Sequence, residues 1–380
     1  VTEPCTVPPF PDVPIDHPFC AEISWAFDAG ITGGYSDGMF HPSWPVTRQA
    51  AAAFFARADD LAEGFVAYGT FTARQDDYLA FATESRSNGS ILNLLLHLER
   101  AERDPDFTPT ATNVGPENFQ GSWDDIDGYL DTADFDMLYL INLWLGYGDQ
   151  IDPDLKARIE SSILDFEYWY TDPTPPGTVD QRWYWSENHR IIFHTLEYLA
   201  GQSFPTETFT VTGMTGAEHR DRAKGFIDEW LEEKRRFGFS EWHSDVYYQK
   251  DVTPLLTLVE HAEDRELAEA AAMILDLVLV DLAMHTLDGN NGVTHGRSYM
   301  KDKSIAPDQD VFGIVKLLFD DTSEPYRSTG NAGAGLLARA KRYRMPEVVR
   351  RIAVSDDPMV DIERMNIPSG VEGPFNPGVT

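Results

Sequence analysis

From residue 121 to residue 345 the chain repeats one local pattern, a helix-start signal followed by apolar residues at helical spacing, which leaves almost no room for a sheet. Leu138, Ile141 and Leu145 fall on one face of a helix expected over 134–147. Asp152-Pro153 supplies an N-cap with proline at the first helical position and opens a helix toward Tyr168. A helix over 187–200 follows. Thr215-Gly216-Ala217-Glu218 has capping-box spacing and opens a helix toward Arg235. Further helices are expected over 251–261, 265–285, 309–319 and 332–343. Long helices joined alternately by short and long loops predict antiparallel pairs, and pairs set in a ring give an α/α toroid. No repeat of about 30–50 residues runs through the segment, which argues against a simple solenoid. The expected fold class is therefore all-α. Residues 121–360 form the toroid-like domain, with the long aromatic-rich loops on one rim. Residues 59–120 read as a mixed connecting segment with a short apolar helix over 91–98, and 361–380 as a Gly/Pro-rich tail leading toward something further.

Charge removes whole classes of partner. The chain carries 63 acidic against 30 basic side chains, a formal charge of −33. Phosphate binding needs a positive footprint, so nucleic acid is excluded as a partner, and anionic lipid equally. No apolar run reaches the ~18 residues that a membrane helix requires. A hydrophobic content of 42% is ample for a packed core, so most of the chain is expected to be ordered. Such a surface stays soluble by self-repulsion, and salt screens that repulsion.

Residues 1–58 form a separate module. Phe19, Ile23 and Ala26 repeat at helical spacing before Gly30, and Ala51, Phe54 and Phe55 repeat after Thr47, a candidate N-cap. Between them Gly33, Gly34 and Gly38 allow a tight turn, with Tyr35 and Phe40 filling the gap. Phe10, Asp12, Val13, Gly30-Ile31, Gly34-Tyr35-Ser36-Asp37-Gly38, Phe40, Pro42 and Val46-Thr47-Arg48 together resemble an S-layer homology repeat. The resemblance implies a bacterial exported protein, secreted or associated with the cell wall, held there by secondary cell-wall polysaccharide. Arg48 stands in the helix-start motif, followed by Gln49-Ala50 where the family has Ala-Glu, and one repeat is present where anchors carry three. The alternative is a helix–turn–helix cap without binding. Cys5 and Cys20 are the two cysteines, which in an exported protein predicts one disulfide; two buried thiols are the other reading. Val1 is the kind of start a trimmed or mature chain has.

Chemistry concentrates in the loops of the main body. Seven aromatics crowd the span from Phe166 to Trp185, namely Phe166, Tyr168, Trp169, Tyr170, Trp183, Tyr184 and Trp185. Aromatic faces in a loop suit the apolar C–H faces of sugar rings, although half of these rings can instead pack a helix corner. Trp185-Ser186-Glu187-Asn188-His189 opens a helix and points an amide and an imidazole together; His194 reads as core. Lys234-Arg235-Arg236 can clamp a carboxylate or simply complement a helix C-terminus. Trp242, Tyr247 and Tyr248 follow in the next loop, and Thr294-His295-Gly296-Arg297-Ser298-Tyr299 places His, Arg and Tyr on another.

These strings resemble the toroidal polysaccharide lyases of the alginate-lyase and heparinase type over residues 121–300. The likeness is one of order: an Asn-His pair at a helix start (Asn188-His189), then an Arg (Arg235 or Arg236), then a Tyr (Tyr247 or Tyr248). It implies β-elimination on a uronate. Asn188 and Arg236 would stabilise the charge on the carboxyl group, His189 or a tyrosine would take the C5 proton, and Tyr247 or Tyr248 would protonate the departing oxygen. Trp169, Trp183, Trp185, Arg235, Trp242, His295, Arg297 and Tyr299 would bind the polysaccharide. A −33 chain repels a polyanion unless the cleft is locally basic or salt is high. An inverting glycoside hydrolase on a neutral glycan avoids that conflict; it needs two carboxyls about 6.5–9.5 Å apart, with Glu187, Glu241 and Asp245 as candidates. A non-catalytic glycan-binding wall protein is the third reading. No cofactor or metal is expected. Asp124, Asp125, Asp127, Asp131, Asp134 and Asp136 suit Ca²⁺, but an EF-hand frame turning at Gly128 would begin on Trp123, so the cluster reads as a solvated acidic loop.

Overall fold

Several of the helices start where a side chain can take over an orphan backbone N–H. The Ser186 hydroxyl accepts from His189 N, Asp152 from Asp154 N and Leu155 N, and Asp264 from Glu266 N and Leu267 N. Thr215 and Glu218 cap each other's backbone reciprocally. The computed structural model describes residues 8–17, 19–28, 32–34, 37–42, 70–84, 90–109, 114–320, 322–327 and 332–355, and these are mostly helical. In chain order the helices are α1 (Cys20–Asp28), α2 (Phe71–Glu84), α3 (Ile91–Arg103), α4 (Gln120–Asp127), α5 (Ala133–Tyr147), α6 (Pro153–Asp165), α7 (Glu187–Ser203), α8 (Gly216–Phe237), α9 (Tyr248–His261), α10 (Arg265–Met284), α11 (Phe312–Leu318), α12 (Ala332–Arg339) and α13 (Glu347–Ala353). Among the described residues the sheet amounts to one hairpin, β1 (Thr286–Leu287) on β2 (Asn290–Asn291).

Helices α3, α5, α7, α9 and α12 pack in sequence and close on themselves: α3 on α5, α5 on α7, α7 on α9, α9 on α12 and α12 on α3. Six others flank them, with α2 on α3 and α12, α4 and α6 on α5, α8 on α7, α10 on α9 and α11 on α12. The burial follows. In α5 Met137, Leu138, Leu140, Ile141 and Leu143 are all buried, as expected of a helix covered on most sides. Helices α7 and α8 approach closely at two glycines; a Cβ on Gly216 would stand 2.0 Å from Phe204 O, and one on Gly201 2.3 Å from Gly216 O. At one end of these helices the last residues of α3, α5, α9 and α12 share a cavity of about 320 Å³, lined by Glu99, Tyr147, His261 and Arg339 among others. Their starts gather at the opposite end, where the Asp134 and His189 side chains meet.

Several expectations need correction. Residues 59–120 are not merely a connector, since α2 and α3 belong to the main core. Helix α9 begins at Tyr248 rather than Asp251 and runs through Pro254. Proline leaves the Lys250 carbonyl without its usual helical donor, and the Thr253 hydroxyl donates to it at 3.2 Å. The aspartates of 124–136 are not a solvated loop: Asp124, Asp125 and Asp127 lie on α4, while Asp134 and Asp136 lie in the first turn of α5, where the helix dipole favours acids. Helix α6 stops at Asp165, three residues short of Tyr168, which turns inward and donates to Ile163 O.

In the amino-terminal module Phe10, Val13, Cys20 and Ile23 form a small core with Phe40, whereas Phe19 is exposed. Asp12 accepts from Phe40 N and His41 N at 2.9 and 2.6 Å, tying the first turn to the far side of the Gly-rich segment. Gly34 sits at φ 71°, where a Cβ would stand 2.7 Å from Met39 O. Cys5, Gly30-Ile31, Tyr35-Ser36, the helix expected after Thr47 and the 361–380 tail lie outside the described residues, so the disulfide pairing is not tested by them.

Candidate functional site

The first turn of α7 carries three consecutive polar side chains that do different work. Glu187 is buried and bound to the Lys234 ammonium at 2.5 Å. Its carboxylate also accepts from Ser240 N, Ser240 Oγ and Glu241 N at 2.7, 2.8 and 2.8 Å. Glu187 thus bolts the loop after α8 onto the start of α7. That loop begins at Gly238, whose φ of 72° ends α8.

Asn188 comes next. Its Oδ1 accepts from Ser186 Oγ at 2.9 Å and its amide donates to Glu241 Oε2 at 3.3 Å. The other Glu241 oxygen accepts from Arg297 at 2.9 Å, and Arg297 also donates to the Tyr299 hydroxyl at 2.9 Å. The guanidinium lies 4.3 Å from the centre of the Tyr247 ring, and the Tyr247 and Tyr299 hydroxyls are 2.7 Å apart. Burial pushes the Glu241 carboxyl up, with Arg297 opposing. Burial and the bond to Tyr299 push the Tyr247 phenol up, again against Arg297, so it stays protonated at neutral pH. Beside Arg297 the 290–309 loop encloses a cleft of about 760 Å³.

His189 completes the turn. Its Nδ1 is 2.8 Å from Asp134 Oδ2 on α5, and its ring stacks on Phe135 with centroids 4.8 Å apart. Its Nε2 lies 4.0 Å from the exposed Asp131. Burial pushes the Asp134 carboxyl up, while His189 and then Lys250 pull it down. Lys250, 4.1 Å from the Phe135 ring, is itself lowered by burial. The result is an imidazole fixed on one nitrogen, next in the chain to the amide that leads through Glu241 to Arg297 and Tyr247.

The remaining expected residues divide. Trp183, Trp185, Trp242 and Tyr299 are exposed, as is Tyr170, whose ring is 4.4 Å from that of Trp185. Trp169 is buried instead, 4.4 Å from the ring of His194, so with Phe166, Tyr168 and Tyr184 it packs the helix corner. His194 is core, its pKa driven well down by burial. Tyr248 is buried; its hydroxyl accepts from His243 N at 2.7 Å and donates to Asp281. Arg235 pairs with Glu232 on its own helix, and Arg236 is exposed with its guanidinium 5.1 Å from the Phe237 ring. His295 binds His243 O through Nδ1 at 2.5 Å and stands 3.5 Å from Asp245, clasping the two loops together. Asp134 stood out in the sequence only as a member of the acidic cluster, and Lys250 and the His243, Asp281 and His285 group had no expected role. Asp281 in the last turn of α10 and His285 at its C-cap, four apart, carried a legible spacing; Asp134 carried none beyond its acidic neighbours.

Residues 9–52 match the S-layer homology domain. Comparisons with curated proteins and with solved structures found no match. Among the described residues no helix is long and apolar enough to cross a membrane. The S-layer homology domain marks an association with the cell surface or cell wall, and such domains typically bind secondary cell-wall polysaccharide.

Proposed function

We propose that this is a cell-surface enzyme that cleaves a uronate-containing polysaccharide by β-elimination, built on an α/α toroid made by the closed run of α3, α5, α7, α9 and α12. The observation that carries the reading is the His189–Asp134 pair standing one residue from the Asn188, Glu241, Arg297 and Tyr247 chain of contacts.

In this reading Asn188 and Arg297, both positioned by Glu241, hold the uronate carboxyl group and stabilise the charge that builds on it. His189 Nε2 takes the C5 proton. The electron pair forms the C4–C5 double bond as the C4–O bond breaks, and the Tyr247 hydroxyl gives its proton to the departing oxygen. The arginine role expected of Arg236 passes to Arg297. Trp183, Trp185 and Trp242 offer faces for neighbouring sugars. Arg297 supplies local positive charge against the −33 background, so activity should rise with moderate salt.

Glu241 also favours a second reading, an inverting hydrolase, because a raised carboxyl suits a general acid. Glu187 is not available as its partner while it binds Lys234. Incubation with a panel of acidic and neutral glycans separates the two. Ultraviolet absorbance of an unsaturated uronate on an acidic glycan supports elimination. Reducing ends alone on a neutral glycan mean hydrolysis, and neither signal leaves a glycan-binding protein.

A further inference from the structure

Behind the rim, His243, Asp281 and His285 bring one ligand atom each to within 4.8 Å of one another. His243 Nε2 is 3.2 Å and His285 Nδ1 2.9 Å from the same oxygen, Asp281 Oδ1. The two imidazole rings are 4.1 Å apart. We propose that these three side chains form a binding site for a divalent transition-metal ion, with zinc the best match.

The chemistry of the donor set favours this class. Two imidazoles and one carboxylate are borderline ligands that suit zinc, and three protein ligands leave a position for water. Calcium and magnesium prefer all-oxygen shells, which this group does not offer. The outer contacts are those that orient metal ligands. His243 Nδ1 stands 3.2 Å from Thr294 O, which directs Nε2 toward Asp281. The other Asp281 oxygen accepts from the Tyr248 hydroxyl. His243 is held at φ 51°, a left-handed conformation that a non-glycine residue adopts only when its surroundings require it. His285 Nδ1 is also 2.8 Å from Asp281 O, so the ring must turn slightly, or bind through Nε2, to ligate.

Such an ion would pin the loop that carries Glu241, Trp242 and Tyr247 to the end of α10. The proposal does not depend on the reaction at the rim, because it is tested by metal content. The full chain, purified without an affinity tag, is stripped with chelator, dialysed against zinc and passed over chelating resin. About one equivalent of zinc should remain by atomic emission, and the thermal midpoint should rise on reloading. His243→Ala and His285→Ala should each retain less than a tenth of that. Should either variant misfold, cobalt titration of the unmodified chain decides: d–d absorbance saturating near one equivalent supports the site. No retained zinc and no cobalt bands, or zinc retained equally by folded variants, would overturn it and leave two imidazoles hydrogen-bonded to Asp281.

Discussion

His189 Nδ1 stands 2.8 Å from Asp134 Oδ2, and that carboxyl group has no exposure to solvent. The pair joins the first turns of two neighbouring helices, so it positions the imidazole and helps fix the rim at once. His189→Ala should lower turnover by about 10²–10⁴-fold, the usual loss of a general base, with an unchanged helical circular-dichroism spectrum. Asp134→Asn should also be slow. An amide can donate to Nδ1, which forces the proton onto Nε2 and removes the lone pair that the proposed elimination uses to take the C5 proton. Normal turnover in a folded Asp134→Asn protein would remove the positioning role.

The adjacent tyrosines should separate by kind of defect. Tyr247→Phe keeps the ring under Arg297 but loses the hydroxyl, so turnover should fall at least tenfold with little change in stability. Tyr248→Phe leaves His243 N and Asp281 each short of a partner in a largely buried setting. It should cost about 1–3 kcal/mol, read as a lower urea midpoint at constant slope.

Glu187→Ala should be among the most damaging single changes. It removes the nearest carboxylate from the buried Lys234 ammonium, leaving Glu233 at 3.4 Å, and releases two backbone N–H groups of the 240–241 loop. Loss of one partner of a buried ion pair costs about 3–5 kcal/mol. Urea unfolding measures that cost, and a shift in tryptophan fluorescence would report the released loop around Trp242.

Asp136 gives a pH dependence with a definite sign. Burial, with Asp125 adding and the Ser122 hydroxyl opposing, pushes its carboxyl from 3.8 up to about 6. The folded chain therefore binds this proton more tightly than the unfolded one. Its penalty is absent below the unfolded value of 3.8, grows as pH rises, and is complete above about 6. Asp136→Asn should raise stability at pH 7.5 by on the order of 3 kcal/mol and leave it unchanged near pH 3.5. Equal effects at both pH values would contradict the assignment.

Local signals made most of the helices legible. Asp152-Pro153, Thr215 with Glu218 and the apolar spacing of 134–147 each mark a helix that forms with nearly those bounds. Helices α4 and α13 lacked such marks, and α2 has Thr70 as its cap but no clean apolar face: Phe71–Glu84 carries Arg74 and Gln75 on its buried side, where they bond to carbonyls of Leu317, Leu318, Leu337 and Ala340. A polar residue that finds its partner some 240 residues away leaves no trace in a local pattern. The same limit governs the rim. Asn188-His189 and Tyr247 could be picked out by type and order. That Arg297 rather than Arg236 contacts Glu241 depends on the bolt between Glu187 and the 240–241 loop, and Asp134 gained its meaning only from the neighbour that α5 brings to it.

The central claim is β-elimination, and the most direct test is the ratio of unsaturated uronate to new reducing ends as one acidic glycan is degraded. Each elimination makes one of each, so the ratio should stay at one throughout the time course, with both signals absent in His189→Ala. Reducing ends that accumulate without ultraviolet absorbance would contradict it.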